Sequence, residues 1–141
     1  MVATAMHRIS KQLDFCYGHR LLNYEGPCRH LHGHNGRVEI TLAAENLDAR
    51  GMLVDFKDLQ EAMQGWLDQN LDHRLLLQRS DPYVALLQAQ NEPLFLMESN
   101  PTAENIARLI FEEAKRRGFP VVEVELWETP RASASYREAA L

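Results

Sequence analysis

The sequence predicts an α+β fold, because segments typical of strands and segments typical of helices both recur along it. Residues 35–44 and 121–128 alternate apolar and polar side chains, which indicates strands with one buried face. Residues 56–67 and 101–117 repeat apolar side chains every three or four positions, which indicates helices. With 141 residues, 45% of them hydrophobic, the chain has the size of a single domain, residues 1–141, with one core.

The overall charge argues against two classes of partner. The formal net charge is −5 at pH 7, whereas nucleic acids and anionic membranes are held by clustered positive charge. No apolar run approaches the ~20 residues that a helix needs to cross a bilayer, and the N-terminus lacks the pattern of a secretion signal. We therefore expect a cytoplasmic protein that binds neither nucleic acid nor membrane.

The first half of the chain is predicted to begin with two strands. Residues 7–17 form the first strand and lead to His19, and Cys16 within it is interpreted as a small buried residue. Residues 35–44 form the second strand, with one buried face. After a turn, residues 52–54 resume an extended apolar run.

The two predicted helices have recognisable ends. Asp55 is suited to cap the first helix, and Asn100 is suited to cap the second, which Gly118 ends. The strand at 121–128 follows, and alternation places Glu128 on the same side as its apolar residues.

The remaining segments are short. In the irregular stretch 75–99, Asp81-Pro82 favours the start of a short helix and residues 93–97 favour a short strand. Residues 132–136 are predicted to form a final short strand.

Three histidines are candidates for a metal site. His32 and His34 are separated by one glycine at the start of a strand, so their side chains project to the same side and can share a metal ion. His19 is the third candidate, and three histidines leave one position open, as in a catalytic zinc site. His30 is a rival third ligand, but consecutive same-face positions on one strand make an awkward tetrahedron. We predict Zn²⁺ at His19, His32 and His34, with iron or nickel as competitors.

Other residues carry reactive or hydrogen-bonding groups. Cys28 lies in a polar loop, where a reactive or ligating thiol is more natural than a packed one. Asp72 is adjacent to His73 and can act on its imidazole only in a loop; a histidine that stabilises a helix C-terminus is an equally good interpretation. Glu128 is either a satisfied strand-end carboxylate or an acceptor of two parallel hydrogen bonds from a guanidine-like ring edge.

The candidate residues lie in six short motifs, whose joint order and spacing are distinctive. In chain order the motifs are Phe15-x-x-x-His19, Cys28-x-x-x-His32-Gly33-His34, Gly51-Met52-x-Val54-Asp55-Phe56, Leu71-Asp72-His73, Asn100-Pro101-Thr102-x-Glu104-Asn105 and Trp127-Glu128-Thr129. This series runs from about residue 9 to about residue 137 and resembles the 6-pyruvoyl-tetrahydropterin synthase and 6-carboxytetrahydropterin synthase family.

The resemblance implies a fold, an assembly and a metal. The fold is the tunnelling fold, in which two main helices pack on one face of an antiparallel four-stranded sheet. Subunits assemble as a hexamer built from two trimers, with active sites between subunits. The implied zinc ligands are His19, His32 and His34.

The resemblance also implies a reaction and roles for five other residues. Cys28 transfers protons, assisted by Asp72 and His73 from a neighbouring subunit. Glu128 matches the carboxylate that anchors the pterin ring, and Thr129 lies beside it. The implied enzyme is a zinc-dependent carbon–carbon lyase that acts on 7,8-dihydroneopterin triphosphate.

The interval between the cysteine and the histidine pair favours the carboxy-forming branch. Three residues separate Cys28 from His32, which is similar to the carboxy-forming enzymes of queuosine and deazapurine biosynthesis; pyruvoyl-forming members generally have a longer interval. The alternatives are a pyruvoyl-forming enzyme and a non-catalytic, zinc-containing pterin-binding protein. The chain departs from the family pattern at residues 15–19, which replace the usual small residues, at Gly36, where a larger residue is common, and in the longer connection 75–99.

Overall fold

The computed structural model describes residues 5–138, so both ends of the predicted domain of residues 1–141 lie outside the described residues. Within this range, strands and helices are both present, which confirms the α+β prediction. The strands are β1 (His7–His19), β2 (His32–Ala44), β3 (Arg74–Gln78), β4 (Leu94–Met97), β5 (Val121–Thr129) and β6 (Ala132–Tyr136). The α-helices are α1 (Phe56–Asn70), α2 (Tyr83–Ala89) and α3 (Ala103–Arg116).

The strands form one mixed sheet with the order β4-β3-β1-β2-β5-β6. β2 pairs antiparallel with β1 and β5, and β6 pairs antiparallel with β5, but β3 runs parallel to β1 and β4 runs parallel to β3. The prediction of four antiparallel strands is therefore wrong. The long connection 75–99 explains the difference, because α2 supplies the crossover that a parallel pair requires.

The predicted short helix and strand in residues 75–99 are confirmed as α2 and β4. Strand β3 was not predicted, because it contains three consecutive leucines and no polar alternation. Leu76 and Leu77 point to opposite faces and are both buried, as expected for a strand that is covered on both sides.

The helices α1 and α3 cover one face of the sheet and form a single core with it. Each helix presents an apolar stripe with a period of three or four residues, and the strands present alternate side chains. The largest buried side chains of these helices are Leu59, Met63 and Leu67 of α1 and Ile106, Ile110 and Phe111 of α3.

The start of α1 agrees with the prediction. The Asp55 carboxylate accepts a hydrogen bond from the backbone N–H of Lys57 at 2.9 Å, which satisfies one of the free donors of the first helical turn. The extended run predicted at 52–54 does not join the sheet and instead forms a bend. In the described part of the chain, every helix is too short or too polar to span a membrane.

The N-cap predicted for the second long helix is wrong. The cap of α3 is Thr102, whose hydroxyl accepts a hydrogen bond from the N–H of Asn105 at 3.2 Å. Asn100 instead pairs with the backbone of Leu22, accepting from its N–H at 2.9 Å and donating to its carbonyl at 3.0 Å. Because both polar groups of its amide are used there, Asn100 ties the loop after β1 to the segment before α3.

Candidate active site

The three predicted histidine ligands meet at one end of the β1–β2 ladder. The antiparallel register places His19 opposite His32 and Tyr17 opposite His34. Alternate side chains on a strand share a face, so the three imidazoles lie together on the face covered by the helices. One nitrogen from each ring lies within 4.8 Å of the other two.

Hydrogen bonds to two carbonyl groups orient this cluster. Nδ1 of His19 lies 2.7 Å from the carbonyl oxygen of Pro101, and Nδ1 of His32 lies 2.7 Å from that of His30. A carbonyl only accepts, so both Nδ1 atoms carry protons, and in neutral rings both Nε2 atoms carry lone pairs. These two Nε2 atoms face each other at 3.0 Å. Two facing lone pairs repel, and a bound cation would remove the repulsion, so the arrangement fits a metal ion.

His34 gives a second indication that the cluster fits a metal ion. Its Nε2 is buried and has no hydrogen-bond partner within residues 5–138, which is costly for a polar atom. Burial lowers the pKa of His19, which favours the neutral imidazole that binds metals. The rival ligand His30 is exposed and contributes only its carbonyl to His32, so it does not belong to the cluster.

Glu128 lies beside the histidine cluster, on the face that alternation along β5 predicts. Its carboxylate oxygens are 3.8 Å from Nε2 of His19 and 3.7 Å from Nε2 of His34. One of them accepts a hydrogen bond from the Tyr17 hydroxyl at 3.2 Å. Glu128 also borders a cavity of about 450 Å³ between the start of α3 and β6, together with Glu104.

The Asp72–His73 pair lies in the turn after α1, where adjacent side chains can cooperate. Nδ1 of His73 is 2.6 Å from Oδ2 of Asp72, and the His73 backbone takes a φ of 57°. Strand β1 fixes this turn, because the N–H of Cys16 donates to Oδ1 of Asp72 at 2.7 Å and the N–H of His73 donates to the Cys16 carbonyl at 2.6 Å.

The charge state of this pair follows from those contacts. Burial acts to raise the pKa of Asp72, but the hydrogen bonds from Cys16 and His73 outweigh it and hold the pKa below its ordinary range. The ionised carboxylate keeps the proton of His73 on Nδ1, so Nε2 is free to accept another. The carboxylate therefore fixes the tautomer and the orientation of this imidazole.

The interpretation of Cys16 as a buried residue is wrong. Phe15 and Tyr17 face the core, so alternation turns Cys16 to the opposite, exposed face. There its Sγ lies 3.1 Å from Oδ1 of Asn35. This face borders a cavity of about 610 Å³ that Cys16, Asn35 and His73 line and that extends along residues 31–34.

The other predicted site residues lie near the ends of elements. Cys28 is in the 3-10 turn Pro27–Arg29, half-buried, and its carbonyl accepts the N–H of Leu21 at 2.9 Å. Thr129 ends β5, and its hydroxyl accepts the N–H of Arg131 at 3.2 Å. Within the described residues, the cluster and Glu128 form one group and Asp72–His73 forms another, and no hydrogen bond joins Cys28 or His73 to the histidine cluster.

Two contributors to the site were not singled out from the sequence. Tyr17 has the same parity as His19, so its place on the histidine face was predictable, but its contact with Glu128 depends on the strand order. Cys16 holds Asp72 and His73 through its backbone N–H and C=O groups. Every residue type except proline has both groups, so the sequence does not indicate this contact.

Comparisons with known proteins agree with this geometry. Residues 8–139 match the family described as 6-pyruvoyl tetrahydropterin synthase. A 6-carboxy-5,6,7,8-tetrahydropterin synthase of Rickettsia bellii is 35% identical over 132 residues, which cover 89% of this chain and 96% of that one. Among solved structures, an uncharacterized protein of Wolinella succinogenes superposes with a TM-score of 0.79 at 27% identity, covering 96% of this chain and 99% of that one.

A 6-pyruvoyl tetrahydropterin synthase of Caenorhabditis elegans superposes with a TM-score of 0.72 at 25% identity, covering 99% of this chain and 100% of that one. The family match and these similarities extend over most of the chain. They bear out the prediction of an enzyme of the lyase class. The chain therefore belongs to the 6-pyruvoyl tetrahydropterin synthase family.

Proposed function

We propose that the protein is a metal-dependent lyase that converts 7,8-dihydroneopterin triphosphate and one water molecule into 6-carboxy-5,6,7,8-tetrahydropterin, acetaldehyde and triphosphate. The observation that carries the metal site is the pair of Nε2 atoms of His19 and His32 that face each other at 3.0 Å. The names of relatives such as the Rickettsia bellii protein and the three residues between Cys28 and His32 support the carboxy product. We assign the reaction to queuosine and 7-deazapurine biosynthesis.

In this proposal the metal is zinc, held by His19, His32 and His34. The ion would supply Lewis acidity to oxygens of the substrate side chain and so make neighbouring C–H and O–H bonds more acidic. Three neutral imidazoles suit zinc and leave a position for substrate; iron and nickel compete for the same donor set.

The protein groups bind the ring and move protons. Glu128 accepts two parallel N–H bonds from the guanidine-like edge of the pterin, and Thr129 lies next to it in the chain. Cys28, as a thiolate, removes one proton, and His73 moves another through its free Nε2. Asp72 orients His73 and stabilises its protonated form through the 2.6 Å hydrogen bond.

The proposed site combines groups from more than one copy of the chain. Within residues 5–138, backbone hydrogen bonds to Cys16 hold Asp72 and His73 at the edge of β1 that pairs with β3, and no hydrogen bond joins them to the histidine cluster on the helix-covered side. We therefore assign the Asp72–His73 pair to the site of a neighbouring subunit, in a homohexamer of two trimers.

Product analysis tests the reaction. Incubation of the protein with 7,8-dihydroneopterin triphosphate should yield the carboxy product and acetaldehyde by mass spectrometry, and Cys28→Ala should lose turnover but retain its metal. A pyruvoyl product without acetaldehyde would instead assign the protein to the pyruvoyl-forming branch. Binding of a pterin without any turnover would indicate a non-catalytic pterin-binding protein.

Metal content tests the ligand set. Protein purified without added metal should contain close to one zinc per chain, and His32→Ala should lose most of it, because His32 contributes one of the three nitrogens. His30→Ala is the matched control, since His30 is exposed and contributes only its backbone carbonyl. Equal zinc in the wild type and His32→Ala contradicts the assignment.

Subunit mixing tests the shared site. Two inactive variants, His73→Ala and His32→Ala, are unfolded together and refolded as a mixture. If each site takes the cluster from one chain and His73 from another, some mixed sites contain both intact parts and activity returns. If both parts come from the same chain, every site in the mixture stays defective, and no activity returns.

A further inference from the structure

Tyr17 extends from β1 to a carboxylate on β5, although β2 lies between these two strands. Two strand spacings amount to about 9.5 Å. Even so, the Tyr17 hydroxyl lies 3.2 Å from Oε1 of Glu128. The phenol ring must therefore lie across the face of β2.

Gly36 of β2 provides the space for this ring. A Cβ atom at Gly36 would lie 3.0 Å from Cε1 of Tyr17 and 3.2 Å from the backbone oxygen of Phe15. These distances are shorter than ordinary contact between non-bonded atoms. The backbone of Gly36 does not have a positive φ, so a larger residue is disfavoured there by the Tyr17 ring and the Phe15 carbonyl and not by the backbone conformation.

The ring is held on its other sides as well. Phe15 stacks against it with ring centroids 5.1 Å apart. The imidazoles of His19 and His34 lie at centroid distances of 5.2 Å and 5.6 Å. With 3% of its surface exposed, Tyr17 has little freedom to turn its hydroxyl away from Glu128.

We propose that Tyr17 is a positioning residue of the ligand pocket, whose hydroxyl fixes the carboxylate of Glu128. In this proposal Gly36, which has no side chain, leaves room for the Tyr17 ring. This inference rests on the proposed function, in which the carboxylate of Glu128 accepts hydrogen bonds from the N–H groups at one edge of the pterin ring. A glutamate that is already fixed loses less conformational freedom when the ligand binds. The departures from the family pattern at Tyr17 and Gly36 are therefore two parts of one packing arrangement.

Kinetics with 7,8-dihydroneopterin triphosphate test the inference. Tyr17→Phe removes only the hydroxyl and should raise KM about threefold to tenfold, because Glu128 must then be ordered when the ligand binds. Because Tyr17 acts on binding, kcat and zinc content should stay within about twofold of the wild type. Gly36→Ala keeps the hydroxyl but displaces the ring, and should raise KM in the same way.

The double variant Tyr17→Phe/Gly36→Ala shows whether the two single changes raise KM through the same contact or independently. If both changes act through the hydrogen bond to Glu128, its KM should be no higher than that of the worse single variant. Tyr136→Phe and Gly65→Ala are the matched controls, since Tyr136 packs against Phe111 away from the site and an added Cβ at Gly65 meets nothing within 4 Å.

A second measurement needs no substrate. Tyr17→Phe should lower the Tm by about 2–4 °C, and the same change made in Glu128→Ala should lower it by clearly less. An unchanged KM in Tyr17→Phe, or equal Tm losses in the two backgrounds, overturns the inference. If the wild type neither turns over the triphosphate nor binds neopterin, the proposed function fails, and the Tm comparison alone decides whether Tyr17 positions Glu128.

Discussion

At the scale of single residues, Asp72 joins two parts of the chain. Its carboxylate accepts one hydrogen bond from the backbone of Cys16 and holds the ring of His73 with the other oxygen. A neutral amide could accept the first bond, but it would not stabilise a charged imidazole. The charge of the carboxylate also strengthens the hydrogen bond from Cys16, so Asp72 contributes to the fold as well as to the proposed proton transfer.

This contact predicts a pH dependence of stability. Because the pKa of Asp72 is lower in the folded chain than its ordinary value of 3.8, the unfolded chain binds more protons in this range. The stabilisation is complete above pH 3.8 and is lost as the pH falls through the lower, folded value. Urea unfolding from pH 6 to pH 3 should show the wild type more stable than Asp72→Asn above about pH 4, with the difference closing below. A constant difference would contradict this.

Alternation along a strand was the most reliable guide to the site residues. It placed His32 and His34 together and put Glu128 on the buried face. The same alternation also turns Cys16 outward, and the error there came from giving the residue's usual burial more weight than its position. The contact between Tyr17 and Glu128 was not predictable, because it depends on which strands are neighbours.

At the scale of secondary structure, the segment before α3 has two separate tasks. Thr102 caps the helix, whereas Asn100 holds the backbone of Leu22 in the loop that leads to Cys28. Local sequence suggested Asn100 as the cap, since asparagine and threonine both suit that position. The partner of Asn100 is 78 residues away in sequence, so only the folded chain distinguishes the two.

These two residues should therefore behave differently when replaced by alanine. Thr102→Ala should lower the free energy of unfolding by about 1 kcal/mol and leave amide exchange at Leu22 unchanged. Asn100→Ala should accelerate exchange at Leu22, because that N–H loses its acceptor. Ser10→Ala, an exposed change on β1, serves as the control for both measurements. Equal exchange at Leu22 in the Asn100 and Thr102 variants would rule out separate tasks.

At the scale of the whole molecule, the sheet holds two separate groups of candidate residues. The histidine cluster and Glu128 lie on the helix-covered side, and the Asp72–His73 pair lies at the edge of β1, beside a cavity that His73 lines. The parallel strands β3 and β4 extend the sheet beyond β1 at one edge. The sequence did not predict this pair. Their pairing depends on contacts between distant segments, which local patterns do not encode.

The assembly predicted from this arrangement is measurable. Light scattering should give a mass near six times the 16.2 kDa of one chain. Activity per chain should fall on dilution below the concentration at which the assembly dissociates, since the proposed site combines groups from two chains. A fully active monomer would contradict the shared site.

In the proposed assembly, strand β1 serves two catalytic centres at once. Its His19 face would belong to one centre, while the backbone of Cys16 would hold the proton-transferring pair that reaches into the next. A shift of this strand by one position would disable both centres together. A substitution at residues 15–19 should therefore be judged by its effect on two neighbouring sites rather than one.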